Sequence, residues 1–84
     1  MAFRILYKSS VSRDLKSLDR NVAERILRDL EDTLKRDPDN GIPLSEQFKG
    51  LFKMRIGDYR VIYSKAPEGV LILRIGHRRK IYSR

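Results

Sequence analysis

The stretch LFKMRIGDYRVIYSK, residues 51–65, decides the fold. Phe52, Met54 and Ile56 alternate with Lys53 and Arg55, and Val61 and Tyr63 alternate with Arg60, Ile62 and Ser64. A period of two sends successive side chains to opposite faces, so 52–56 and 59–64 read as half-buried strands. Gly57-Asp58 between them is a two-residue hairpin signal in reverse order from the favoured Asp-Gly. Pairing across so short a turn gathers Lys53, Arg55 and Arg60 on the face away from Phe52, Met54 and Ile56, on strands about 4.8 Å apart.

Downstream, APEG (66–69) reads as another turn and VLILRI (70–75) as the most continuously apolar strand, hence a central one, ended by Gly76. HRRKIY (77–82) follows as a short tail, read as one helical turn. Upstream, FRILYK (3–8) alternates as a strand, and Ser9 or Ser10 is placed to cap a helix. Val11, Leu15, Leu18, Val22, Ile26, Leu30 and Leu34 recur at helical spacing. Asp19-Arg20-Asn21 breaks that stripe, with Asn21 and Glu24 resembling a capping box, so two helices are expected near 10–18 and 21–36. In DPDNGIP (37–43) Pro38 stops the second helix and Asn40-Gly41 turns the chain. The expectation is a single α+β domain, residues 1–84, of order β-α-α-β-β-β. Its two N-terminal helices pack on one face of a small antiparallel sheet, with the first strand beside the fourth in a register left open.

Composition bounds the function. The chain has no cysteine, which excludes disulfides, thiolate metal sites and cysteine nucleophiles. Its apolar runs are too short to span a bilayer, and MAFRILYKSS lacks a signal-peptide core, so a cytoplasmic location is expected with no membrane partner. The net charge of +8 is unevenly placed: residues 1–46 hold nine cations and nine anions, whereas residues 47–84 hold ten cations against Asp58 and Glu68. The C-terminal half therefore builds a polyanion-binding surface.

On that surface the sheet hairpin contributes Lys53, Arg55 and Arg60, and the tail contributes His77, Arg78, Arg79, Lys80 and Tyr82. A single His with no carboxylate cluster leaves no metal site, and no cofactor is expected. RNA cleavage needs no enzyme nucleophile, because the substrate's own 2′-OH attacks the adjacent phosphate. Arg and Lys supply charge stabilisation, and His77, Tyr82 or a lysine with a lowered pKa supplies proton transfer. Arg60 has a structural alternative in a salt bridge to Asp58 or Glu46, and Tyr7, Tyr59 and Tyr63 read as packing residues. Lys49 and Arg74 are further candidate RNA contacts, with Arg79 and Lys80.

The whole chain resembles the RelE branch of the RelE/ParE toxin superfamily, most specifically in GDYRVIY (57–63) and GHR…Y (76–82). The resemblance implies a toxin of a type II toxin–antitoxin module, a metal-independent mRNA interferase that cuts A-site mRNA on the ribosome and leaves a 2′,3′-cyclic phosphate. It implies catalytic roles for Lys53, Arg55, Arg60, Arg78 and Tyr82, with His77 sharing proton transfer. Arg55 stands where the family commonly has lysine, and arginine holds a phosphate better than it moves a proton. The implied partners are a cognate RelB-like antitoxin in a hetero-oligomer, ribosomal RNA and mRNA. Alternatives are a ParE-like gyrase poison and a catalytically inactive nucleic-acid-binding relative.

Overall fold

The computed structural model describes residues 3–44 and 48–77. Its elements are β1 (Arg4–Tyr7), α1 (Ser9–Lys16), α2 (Arg20–Arg36), β2 (Ile42–Pro43), β3 (Leu51–Ile56), β4 (Tyr59–Ala66) and β5 (Gly69–His77). They form one five-stranded sheet in the order β1-β5-β4-β3-β2, covered on one face by the helices. The α+β architecture is the expected one, with two refinements. Ile42-Pro43, expected within a turn, pairs antiparallel with Phe52 and Lys53 as a short edge strand. The edge is where a proline, lacking an N–H, is tolerated in a sheet. And β1 joins β5 in parallel, Arg4 opposite Gly69 and Tyr7 opposite Ile72, while every other pairing is antiparallel.

The hydrophobic stripe of the helices meets the apolar alternation of the strands in a single core. Val11, Ile26, Leu30 and Leu34 are buried against Met54, Val61, Tyr63, Val70, Ile72 and Ile75. Removing such side chains from water is the main force holding helices to sheet, about 1.5–3 kcal/mol for each fully buried aliphatic. The helix boundaries lie within two residues of those expected, but the caps differ. Lys8 and Asp19 occupy the N-cap positions, and neither makes a side-chain capping bond. The expected caps at Ser9 or Ser10 and the Asn21–Glu24 box are thus not formed: Ser10 instead turns inward and donates to the Leu73 carbonyl at 2.7 Å. That bond satisfies a half-buried strand acceptor instead of one of the first amides of the helix.

Gly57 explains the reversed hairpin dipeptide. Its φ is 60°, and no non-glycine described residue has a positive φ. Glycine leading a two-residue loop is the requirement of the type II′ turn, whose twist matches the flanking strands. The consequence is register: Ile56 faces Tyr59, Arg55 faces Arg60, Met54 faces Val61 and Lys53 faces Ile62.

The loop after α2 is tied to the sheet by Tyr63, the largest fully buried side chain. Its ring stacks on Phe52 at 5.8 Å, and its hydroxyl accepts a hydrogen bond from the Gly41 N–H at 2.9 Å. The phenol comes so close that a side chain at Gly41 would sit 2.8 Å from Tyr63 Cζ. Lys65 adds an ion pair to Asp39 at 2.6 Å and lies 4.4 Å from the centre of the Phe52 ring.

Candidate functional site

Opposed residues on antiparallel strands point to the same face, so the hairpin register fixes which side chains share the open side of the sheet. Met54 and Val61 are buried beneath the helices. Arg55 and Arg60, one position along, therefore stand directly opposite each other on the open face, with Lys53 and Ile62 as the next pair. In a hairpin with a two-residue loop, the pair flanking the turn is hydrogen-bonded. Arg55–Arg60 is accordingly a non-hydrogen-bonded pair, in which side chains approach most closely, with Cβ atoms about 4.5–5.5 Å apart. Arg55 is exposed, while Arg60 and Lys53 are half-buried. The open face grades along β3 and β4 from this cationic end, through Lys53 and Ile62, to Leu51 and Ser64 at the other.

Two like charges directly opposed in a sheet destabilise it, and no fold requires them there. A local rule broken at a solvent-open position makes these cations candidates for a functional site. The three sequence-predicted hairpin cations are thus brought together.

His77 is placed elsewhere. It pairs with Tyr59, and the two rings meet edge to face at 5.6 Å and 81°. Tyr59 packs against the core, so the imidazole lies on the helix side of the sheet, opposite to Arg55 and Arg60. The reason is a bulge in β5: Tyr63 faces Ile72 but Ile62 faces Arg74, leaving Leu73 as an extra residue. The bulge reverses the alternation after Ile72, so that Ile75 enters the core and Gly76 falls opposite Arg60. Arg78, Arg79, Lys80 and Tyr82 lie outside the described residues. Lys49 is exposed just before β3. Arg74 is gripped by Asp14 of α1, donating through Nε at 2.9 Å and Nη2 at 3.1 Å, and this bond holds its pKa above the ordinary guanidinium value.

Asp14 is the residue that sequence reading missed. A cleft of about 320 Å³ beside it is lined by Ser17, Leu18, Tyr59, Ile75 and His77. No local pattern announces Asp14, because the partners of its carboxylate come from β5, some sixty residues on. Among the described residues no group of three or more His, Asp or Glu side chains is arranged to hold a metal ion.

The family model described as the ParE toxin of the type II toxin–antitoxin system, parDE, matches residues 5–82. The chain belongs to this toxin family. Among solved structures, the toxin is similar to the RelBE2 toxin–antitoxin complex of Mycobacterium tuberculosis, with 28% identity and a TM-score of 0.83 over 93% of this chain and 100% of that one. It is also 30% identical to the archaeal RelE–RelB complex of Pyrococcus horikoshii, with a TM-score of 0.71 over 95% and 99% of the two chains. YoeB of Staphylococcus aureus, 16% identical with a TM-score of 0.71 over 93% and 99%, shares the fold. A comparison with curated proteins returned no match. The toxin is thus a type II toxin–antitoxin toxin of RelE-like fold within the RelE/ParE superfamily.

Proposed function

We propose that this toxin is a metal-independent endoribonuclease that cleaves mRNA in the ribosomal A site by attack of the substrate 2′-OH on the adjacent phosphate. The observation that supports it is the Arg55–Arg60 pair with Lys53 beside it on the open face of a rigid hairpin. As the 2′-oxygen closes on phosphorus, negative charge builds on the non-bridging oxygens, and two opposed guanidiniums offer a fork of donors to meet it. Lys53, half-buried beside Ile62, is the described group suited to proton transfer as well as charge; the arginines, which stay protonated, do neither acid nor base work. Arg78 and Tyr82 complete the proposed set, Arg78 at the phosphate and Tyr82 at the 2′-OH, while His77, held against Tyr59 on the opposite face, stands apart from it. Lys49, Arg74, Arg79 and Lys80 are proposed RNA contacts. The ribosome supplies substrate orientation, so naked RNA is a poor substrate. The proposed partner in the resting state is a RelB-like antitoxin, since the two most similar structures cited above are complexes of that kind.

A second reading, poisoning of DNA gyrase, is favoured by the ParE description of the matching family model. Induced expression with mapping of RNA 5′ ends separates the two. Breaks phased to codons in translated messages support the nuclease; intact messages with double-strand DNA breaks refute it in favour of the poison. Arg60→Ala, Arg78→Ala and Tyr82→Phe should each relieve growth arrest with antitoxin binding retained, and cleavage by purified toxin on ribosomes should survive chelator. Full toxicity of all three variants, or loss of cutting in chelator, refutes the mechanism.

A further inference from the structure

β1 is only four residues long, so it covers β5 no further than Ile72. Beyond that point the N–H and C=O groups of β5 on this side have no strand partner, and an open edge of this kind is free to slip or fray. Helix α1 takes the place of the missing strand. Ser10 Oγ donates to the Leu73 carbonyl at 2.7 Å, and the Ile75 N–H donates to Asp14 Oδ2 at 2.9 Å. The same carboxylate receives Arg74 through two further bonds. Three successive residues of β5 are therefore tied to α1 at the place where the strand carries its extra residue. The Asp14 side chain is 12% exposed and Arg74 55%, so the bond from the Ile75 N–H is the more sheltered of the three.

We infer that Asp14 is a positioning residue: it locks the β5 bulge and so fixes the face on which the C-terminal end of that strand presents its groups. Without the bulge, simple alternation after Ile72 would send Ile75 to the open face and His77 to the side of Arg55 and Arg60. With it, Ile75 is buried and His77 stands against Tyr59. His77 is also the point from which residues 78–84 continue, including the two called for the site, Arg78 and Tyr82. The consequence for activity rests on the nuclease reading; the consequence for register does not.

His77 is the chain's single histidine, which supplies a direct readout. In the wild-type toxin its ring proton resonances should carry the ring-current shift of the neighbouring Tyr59, identified by its loss in Tyr59→Leu. Asp14→Ala should abolish that shift and speed exchange of the Ile75 amide. Cleavage on ribosomes should fall at least about 100-fold in kcat, since a misplacement of only about 1 Å can cost that much, with KM for ribosomes within about twofold. Asp14→Asn, whose side-chain oxygen still accepts from Ile75, should restore the His77 shift and most of kcat. An unaltered His77 spectrum in Asp14→Ala overturns the inference, as does an unaltered kcat beside an active wild type. If Asp14→Ala does not fold, Asp14→Leu, which fills the site but accepts no hydrogen bond, is read in its place with the same two outcomes. A wild type that cuts no message refutes the nuclease reading, and the His77 spectrum then decides the role of Asp14 alone.

Discussion

Replacing Arg55 by threonine should make the toxin more stable and less active at once. Arg55 and Arg60 face each other across a non-hydrogen-bonded pair, and like charges so placed cost about 0.2–1 kcal/mol relative to a neutral pair. Arg55 is exposed, so solvent screening keeps the figure in that modest range. Threonine removes the repulsion and adds a β-branched side chain suited to a strand. For a domain of this size each kcal/mol is worth about 4–8 °C, giving an expected rise in Tm of about 1–8 °C. The rise should be largest near 20 mM salt and shrink near 1 M, where the Debye length falls to about 3 Å, to what the strand preference of threonine alone contributes. In the same variant, loss of one preorganised cation from the phosphate site should lower kcat on ribosomes by about 10²–10³. Thermal unfolding at both salts, run beside cleavage kinetics, measures the two effects. A Tm that falls, or a gain that is the same at both salts, refutes the opposed-cation account of the hairpin; unchanged kcat removes Arg55 from the site.

Two further outcomes test the packing around the hairpin. Tyr63→Phe leaves the Gly41 N–H without its acceptor and should cost about 1–3 kcal/mol, read as a lower urea midpoint at unchanged slope. Gly41→Ala should cost about 1–3 kcal/mol by crowding the Tyr63 ring, and Tyr63→Phe should not rescue it, because Tyr63 Cζ itself lies 2.8 Å from the added carbon. Alkaline stability should depend on Tyr7, whose hydroxyl donates to Glu31 and whose pKa is raised above the ordinary 10.0 by burial and by that carboxylate. The unfolded phenol loses its proton first, so this contribution is whole below about pH 10 and is lost as pH rises towards the folded value. Urea midpoints from about pH 9 to pH 11 should fall less steeply in Tyr7→Phe, with a remainder from Tyr63, whose pKa burial also raises.

The hairpin was legible in the sequence because its register depends on neighbours: alternation chose the faces, and a two-residue loop allowed one pairing. Lys53, Arg55 and Arg60 followed directly from it. The helices were legible for a similar reason, a stripe at helical spacing interrupted once. Long-range polar choices were not. Ser10 looked like a cap because local rules see only its own amide neighbours, and Asp14 looked like any solvated acid on a helix. The bulge at Leu73 escaped because VLIL (70–73) is apolar throughout and shows no phase to be reversed. That hidden phase is what separates His77 from the cations with which the sequence had grouped it. Ile42-Pro43 escaped as a strand because two residues carry no periodicity.

The parallel pairing of Arg4 with Gly69 also sets an order of events during synthesis. The β3–β4–β5 meander closes through short turns, whereas β1 waits for a partner 65 residues further along the chain. Loop closure over that distance is the slow, late contact of the fold. A nascent chain therefore carries β1 unmated until β5 has been made. A toxin directed at translation, as proposed, would thus lack its complete sheet while its own β5 is still being translated.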